Sequence, residues 1–445
     1  MKPSIPKGTR DFLPKEVYKR QYIFDTIKSV FEVYGYQPIE TPVMEKLSTL
    51  TGKYGDEGDQ LLFKILNNGD FLAKADKQAL SENNSKQLVS SISKKGLRYD
   101  LTVPFARFVT MYQNDISFPF KRYQIQQVWR GDRPQKGRYQ EFYQCDVDVV
   151  GSDSLMYEAE LVKIYDDVFH KLGIASTIKV NNRKVLFGIA EAAGIADKFM
   201  EMTIAIDKLD KIGEEGVINE MAKKDIDSTA SHKVLELLKI DNLKDLEVAF
   251  TDSPEGLKGV AELKQFHVYL DTMEAYNKIK FDISLARGLS YYTGCIFEVV
   301  SNDVNIGSIG GGGRYDDLTS SFGMKGVSGV GVSFGAARIY DVMEELDLFP
   351  KSVDQKLQYL FVSFDEESHT YAFSELSKLR KAGISADLYP EPTKLKKQMK
   401  YANDIAVPHV VLIGSDEVKS GKLTVKNMQT GDQSVMTLDE IISKA

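Results

Sequence analysis

Residues 121–151, KRYQIQQVWRGDRPQKGRYQEFYQCDVDVVG, constrain the fold more than any other stretch. Tyr123, Ile125 and Gln127 alternate with Gln124, Gln126 and Val128, the period of two that a half-buried strand requires. Residues 142–150 repeat that character with aromatic and β-branched side chains. Between them, GDRPQKGR holds glycine, proline and, counting from Arg130, four cations. Two strands so linked form an antiparallel hairpin with an anion-binding tip. Arg130 ends the apolar strand rather than sitting in the tip, so it belongs over the sheet. Asp132 can brace its guanidinium or a neighbouring cation, and a braced arginine suits a planar phosphate fork. On the return strand Gln144, Asp146 and Asp148 recur at period two and share a face. A polar row on so apolar a strand points to a polar ligand lying on the sheet. A solvated hairpin tip is the plainer reading of any basic loop; the placement of Arg130 and the polar row weigh against it.

A chain of 445 residues holds two to four domains and can bury substantial cores. Its 42% hydrophobic and 27% charged composition is that of a soluble globular protein. A net charge of −7 argues against a general nucleic-acid coat while leaving room for local basic surfaces. Cys145 and Cys295 both sit in apolar strand-like runs, which fits a reduced, cytoplasmic compartment and not a disulfide framework. Neither a signal peptide nor a run of membrane-spanning length is present, so no membrane partner is expected. The five histidines lack ligand spacing, so no protein-held metal site is expected.

Residues 16–34 carry apolar side chains at helical spacing and stop at Gly35. The following YGYQPIETPVME is strand-like, and Pro38 and Pro42 confine it to a sheet edge. Residues 61–66 read as a short strand, and the polar 67–96 as a partly mobile insertion loop with one short helix. In LRYDLTVPFARF, Asp100 and Thr102 face one side of an extended segment before a helix that Pro104 opens. Helix capping is their plainer role. Residues 152–171 are helical and 177–181 form a strand. Residues 183–279 are helical and charged throughout, and strands return at 281–285. Gly310 to Gly313 lack the Lys-Ser/Thr of a phosphate loop and read as a tight turn. Gly329, Gly331 and Ser333 alternate along a strand, leaving room for a ligand on one face, and Arg338 lies in the helix that follows. After a linker near residue 350, alternating strands and helices mark a separate small α/β domain. The expected domains are 1–182 with 280–350, 183–279, and 356–445.

PKGTRDFLP, YGYQPIETP, LRYDLTVPFAR, WRGDRPQKGRYQEFYQCDVDVVG, RGLSYYTG and GGGGRYDDL, in this order, resemble class II aminoacyl-tRNA synthetases, and among them the histidyl-tRNA synthetase family. IGSDEVKSGKLTVKNMQTGDQ is similar to that family's C-terminal anticodon-binding domain. The resemblance covers nearly the whole chain, and RGLSYYTG is its most specific motif. It implies an α+β fold: a catalytic domain on a six-stranded antiparallel sheet, a helical insertion, and a C-terminal α/β anticodon-binding domain. It implies a homodimer through the first helix and the strand ending at Pro42. The implied activity, a step of protein biosynthesis, is activation of L-histidine by ATP with Mg²⁺. Transfer to the 3′ end of tRNA(His) follows, with release of AMP and diphosphate.

By the same resemblance, Arg130 and Arg287 are the catalytic arginines at the α-phosphate. Arg338, with Asp132 and Arg138, holds the rest of ATP. Asp100, Thr102 and Gln144 hold the α-amino group of histidine, and Asp148, Tyr291 and Tyr292 read its imidazole. Arg133, Gln135 and Lys136 are candidates for the tRNA acceptor end. The chemistry is coherent. An ammonium needs acceptors, and the two ring nitrogens can be read by a carboxylate and a phenol. The attacking carboxylate is already ionised and needs no general base, so alignment and charge stabilisation supply the catalysis. Ser290 and Ala337 stand where the family more often has Asp and Glu, and Asp132 and Asp148 are one methylene shorter than many counterparts. Two other readings are a histidine-sensing regulatory paralogue, which lacks the domain that residues 357–445 supply here, and a nucleic-acid-binding scaffold, against which Arg130, Arg287 and Arg338 speak.

Overall fold

The computed structural model describes residues 2–52, 55–286, 291–354 and 357–444. The chain divides into two compact units, Met1–Phe12 with Arg20–Leu348, and Leu13–Lys19 with Phe349–Ala445. In chain order the strands of the first unit begin with β1 (Gln37–Pro38), β2 (Met44–Lys46), β3 (Lys64–Ile65), β4 (Lys95–Leu97) and β5 (Phe120–Trp129). They continue with β6 (Glu141–Val150), β7 (Ser176–Asn182), β8 (Lys278–Phe281), β9 (Cys295–Ser301), β10 (Ser308–Tyr315) and β11 (Gly329–Gly335).

Eight of these form one sheet in the order β1-β5-β6-β11-β10-β9-β7-β8. From β5 to β7 every neighbour is antiparallel, giving six antiparallel strands. Short parallel strands, β1 and β8, add one at each edge. Pro38 lies in β1, at an edge, where its missing N–H costs no ladder bond. Strands β2, β4 and β3 make a small separate sheet.

One face of the large sheet is packed by helices. The helix Met156–Lys171 buries Leu161, Val162, Ile164, Tyr165, Val168 and Phe169, and the helix Pro14–Val33 buries Ile23, Ile27, Val30 and Phe31. The rings of Tyr165, Phe169 and Phe31 meet Phe334 of β11 at centroid distances of 4.7, 5.6 and 5.7 Å. Each such fully buried side chain contributes roughly 1.5–3 kcal/mol. Tyr165 lies so close that a Cβ on Gly310 would stand 2.6 Å from its ring, and its hydroxyl donates to the carbonyls of Gly311 and Ser333. The glycine run 310–313 is therefore the middle of strand β10, not a tight turn. Its composition answers to what presses on the strand.

Other expectations shift by local chemistry. The segment 67–96 holds two short helices, Lys77–Ser81 and Ser85–Ile92, where one was expected. The Asp76 and Asn84 side chains cap them, accepting from backbone N–H groups of their first turns. The strand expected at 281–285 is β8, which ends at Phe281; Asp282 folds back to accept from Ser284 N and Oγ and closes a turn there. Between β7 and β8 all described elements are helices, from Arg183–Ala192 to Pro254–Leu270. No helix among the described residues is long and apolar enough to cross a membrane.

The second unit carries β12 (Tyr359–Ser363), β13 (Ala386–Leu388), β14 (His409–Ile413), β15 (Leu423–Asn427) and β16 (Gln433–Met436), in the order β13-β12-β14-β15-β16. The first three are parallel and the last two antiparallel. Phe361 and Val411 face Leu376 and Leu379, while Leu360, Val362 and Val410 face Ala402, so alternation along the strands feeds two cores. A short helix, Ser415–Ser420, stands where the sequence pattern indicated no element.

Candidate active site

Strand register builds the site. Gln124, Asp146, Ser333, Gly311, Glu298 and Lys179 are successive cross-strand partners from β5 to β7. The adjacent row on the same face runs Arg122, Asp148, Gly331, Gly313, Ile296 and Asn181. The glycines keep the centre of this floor bare. Gly331 is obligatory: a Cβ there would lie 1.9 Å from Asp148 Oδ1.

A cavity of about 280 Å³ lies over these rows. Asp100, Thr102, Gln144, Asp148, Tyr291 and Tyr292 all line it, so the six residues expected on the histidine side are brought together. It adjoins a second cavity of about 940 Å³, lined by Arg130, Asp132, Arg138 and Arg338, the four expected on the ATP side. Arg130, Gln144, Ser308, Gly311 and Ser333 belong to both walls and mark the border.

Arg130 leaves the end of β5 and is held by its Nε donating to the Tyr99 carbonyl at 3.0 Å. Its guanidinium stands over the Tyr99 and Phe142 rings, 4.3 and 5.3 Å from their centroids. Asp132 stands by Arg138, 3.7 Å from Nη1. Of the two cations it could have braced, it is the neighbour in the tip. Arg338 crosses from its helix to donate through Nε to the Gly137 carbonyl at 2.8 Å and through Nη1 to the Ser308 carbonyl at 2.6 Å. It thereby ties the hairpin tip to β10. Of the tip residues expected at the acceptor end, Arg133 and Gln135 are exposed, and Lys136, also exposed, pairs with Glu345 at 2.9 Å. Arg287 and Ser290 lie outside the described residues.

In the smaller cavity Asp100 does two things at once. Oδ1 accepts from Val103 N at 3.1 Å, in the first turn of the helix Thr102–Met111, while Oδ2 meets the Tyr291 hydroxyl at 3.4 Å. That helix starts at Thr102, so Thr102 is its first residue rather than part of an extended segment, and Pro104 lies inside its first turn, where no N–H is missed. Gln144 donates through Nε2 to Ser333 Oγ at 3.0 Å, and its buried Oε1 has no hydrogen-bond partner among the described residues. Asp148 takes the Tyr315 hydroxyl on Oδ1 at 2.6 Å and faces Arg122 Nη2 across the hairpin at 2.7 Å.

In so dry a place the carboxyls of Asp146 and Asp148 are both raised, with the Asp100 charge adding to each. Burial, with the Asp148 charge adding, pushes Asp146 up to about 7 against the pull of Arg122. Burial also raises Asp148, opposed by Arg122 and by the Tyr315 hydroxyl. Burial and the nearby Asp148, Asp146 and Asp100 raise the Tyr292 phenol, which stays a protonated donor at neutral pH.

Three residues at the site escaped the sequence reading. Arg122 is the cation beneath the acids, Tyr315 orients Asp148, and Glu298 completes the polar row at 5% exposure. Arg122 left one signal, its period-two phase with Gln124 and Gln126. Among the described residues no group of three or more His, Cys, Asp or Glu side chains could hold a metal ion.

Comparison with known proteins agrees with this architecture. The family model described as "Histidyl-tRNA synthetase" matches residues 8–75 and 69–339, and one described as "Anticodon binding domain" matches residues 353–445. The Histidine–tRNA ligase of Phocaeicola vulgatus is 55% identical over 447 residues, covering 99% of this chain and 98% of that protein. That of Christiangramia forsetii is 55% identical over 441 residues, covering 97% of each. The crystal structure of histidyl-tRNA synthetase from Nostoc sp. PCC 7120 superposes with a TM-score of 0.83 at 30% identity, covering 100% of this chain and 99% of that one. With both units matched along their length and the two cavities set on one antiparallel sheet, the chain belongs to the histidyl-tRNA synthetase family.

Proposed function

We propose that this chain is a histidine–tRNA ligase that activates L-histidine with ATP in the paired cavities and transfers it to the 3′ end of tRNA(His). The observation that carries the reading is the border between an acid-walled pocket and an arginine-lined cavity, with Arg130 and Gln144 in both walls. On this reading histidine lies in the smaller pocket. Its ammonium meets Asp100, Thr102 and the Oε1 of Gln144, which has no partner among the described residues, and its imidazole lies between Asp148 and the Tyr291–Tyr292 pair. The carboxylate then points at the border. ATP occupies the larger cavity, its α-phosphate at Arg130 and its far end at Arg338, with Asp132 and Arg138 along it.

Attack of the histidine carboxylate on the α-phosphate expels diphosphate and leaves the adenylate. Arg130 neutralises charge that grows on the phosphoryl oxygens, and its fixation by Tyr99 means little reorganisation is needed. Arg287 is assigned the same task from the family motif. The terminal ribose hydroxyl of tRNA then attacks the acyl carbon and AMP leaves. Arg133, Gln135 and Lys136 on the exposed tip are assigned to the acceptor end, and residues 353–445 to the anticodon. That second unit favours a charging enzyme over a histidine sensor. Mg²⁺, which the family implies, would accompany the nucleotide phosphates in the larger cavity and offset their charge there. A cytoplasmic homodimer, paired through the first helix and the β1 edge, completes the proposal.

The test is histidine-dependent ATP–pyrophosphate exchange followed by charging of tRNA(His). Purified protein with no exchange would sink the enzyme reading. Exchange without charging would point to a decayed paralogue.

A further inference from the structure

Arg122 contributes no surface to either cavity and is fully buried, yet it is the cation that faces the acids of the smaller one. We propose that Arg122 is the positioning residue that keeps Asp148 anionic and aimed into the pocket, and so sets the discrimination for an imidazole ring. This rests on the functional reading above and adds to it the origin of Asp148's charge state.

The geometry supports the assignment at each step. Arg122 and Asp148 are direct cross-strand partners in the β5–β6 hairpin, so register alone brings them together. Nη2 and Oδ2 stand 2.7 Å apart, with both side chains almost without solvent contact. Arg122 has few other commitments. Nη1 reaches Gln124 Oε1 only at 3.4 Å, Nε has no hydrogen-bond partner among the described residues, and the Phe105 ring lies 4.1 Å from the guanidinium carbon. The opposite oxygen of Asp148 is fixed by Tyr315, and the missing side chain at Gly331 clears the space the carboxylate occupies. Asp148 is thus hydrogen-bonded on Oδ1 and ion-paired on Oδ2, where neither Oδ2 nor Nη2 has an aligned hydrogen bond among the described residues, and its carboxylate is held from both sides by a phenol and a charge.

The charges facing Asp148 explain why it needs this cation. Besides Arg122 on β5, they are Asp146 on β6, Asp100 before the helix Thr102–Met111, and the phenols Tyr315, Tyr292 and Tyr36. Among the described residues, all but Arg122 are anionic or neutral. In a desolvated cluster of that sign a carboxyl without a cation takes up a proton. A protonated Asp148 could no longer act as the charged acceptor for a ring N–H. Binding imidazole then has to be paid for by deprotonation, and the site loses its preference over rings that lack that N–H.

The experiment compares wild type, Arg122→Met, Arg122→Lys and the double variant Arg122→Met/Asp148→Asn in ATP–pyrophosphate exchange, varying each substrate from about pH 6.5 to 8.5. Arg122→Met is expected to raise the histidine KM about tenfold or more at the acid end, because Asp148 is then largely protonated. The defect shrinks as pH rises and Asp148 ionises without help, while the ATP KM stays within about twofold. Arg122→Lys, a charge with shorter reach, gives a several-fold rise confined to histidine. The double variant keeps a raised histidine KM but loses the pH slope. Equal changes in both KM values, or a histidine defect without pH dependence, would reduce Arg122 to a structural residue and overturn the proposal. If Arg122→Met does not fold, the lysine and double variants, whose buried charges balance, decide by the same criteria. Wild type without histidine-dependent exchange would sink the functional reading; wild-type exchange with an indifferent Arg122→Met would sink only this inference.

Discussion

Gly331→Ala is the most incisive single perturbation of the site. One methyl is added, and its ideal position lies 1.9 Å from Asp148 Oδ1 and 2.3 Å from Cγ. A flexible side chain would simply swing aside. Asp148 cannot, because Tyr315 holds one oxygen at 2.6 Å and Arg122 stands 2.7 Å from the other. Relief requires giving up at least one of these. Surrendering the buried phenol bond costs about 1–3 kcal/mol, and surrendering the ion pair about 3–5 kcal/mol. The cheaper route sets the expectation, a loss of about 1–3 kcal/mol in folding stability and a fall in Tm of about 1–4 °C for a unit of this size.

The functional effect is of similar size in free energy but is read separately, in the histidine KM. A displaced carboxylate forfeits a charge-assisted hydrogen bond to the histidine ring, about 1.5–3 kcal/mol, or roughly 10- to 150-fold in histidine KM. Arg130 and Arg338 are untouched, so the ATP KM should hold. Gly335→Ala, on the same strand and face, is the control: its Cβ meets nothing closer than the Ile309 carbonyl at 3.4 Å and its Tm should stay put. Exchange kinetics with each substrate varied, beside a thermal melt, give all four numbers. A Gly331→Ala enzyme with wild-type histidine KM and wild-type Tm would refute the claim that Asp148 is locked in place.

Three further outcomes are expected. Arg130→Ala should slow exchange about 100-fold or more, the scale of removing one oxyanion donor, while calorimetric histidine affinity changes little; normal exchange would remove Arg130 from the reaction. Arg314 and Glu158 form a buried pair with Nη2 to Oε2 at 2.7 Å, and Glu158→Gln should cost about 3–5 kcal/mol in urea unfolding; a loss under about 1 kcal/mol would show the pair is not structural. For Asp146 the folded carboxyl is raised to about 7, above its unfolded value, so the stability linked to its proton is full at low pH and fades as pH rises through that point. Asp146→Asn should therefore gain on wild type between about pH 4 and pH 8 in the ligand-free protein, and a constant or opposite difference would contradict the burial account.

Much of this was legible in the sequence, and the misses have physical reasons. The hairpin was readable because a period of two survives in both strands, and the same period put Gln144 and Asp148 on one face. Arg122 obeyed that period too, but a strand arginine carries no mark of burial; its partner becomes visible only when the hairpin closes and sets Asp148 opposite it. The glycines 310–313 were misread because a run without side chains has no pattern, and what demands them, the Tyr165 ring above all, comes from a distant helix. The two helices in 67–96 are too short for periodicity to build up, although their caps, Asp76 and Asn84, stood in plain sight. The small β2-β4-β3 sheet joins strands of two or three residues, below any length at which alternation can be counted.

The distribution of charge over the two cavities has a consequence for how histidine enters, given the proposed reading. Four carboxyls, Asp100, Asp146, Asp148 and Glu298, line the smaller cavity, and the arginines line the larger one, with Arg130 at the border. A zwitterion in that field has one favourable direction, ammonium inward and carboxylate toward Arg130. Reversed, it would set its carboxylate among Asp100 and Asp148. At an effective dielectric of about 20, one like-charge contact at 4 Å costs about 4 kcal/mol, enough to hold the reversed pose below roughly one part in several hundred. The forward pose places the nucleophilic carboxylate at the wall shared with the nucleotide cavity, where the α-phosphate arrives. The field that selects the substrate's orientation is then also the field that aligns the attack, so a charge reversal at Asp100 should depress turnover beyond what its loss of affinity accounts for.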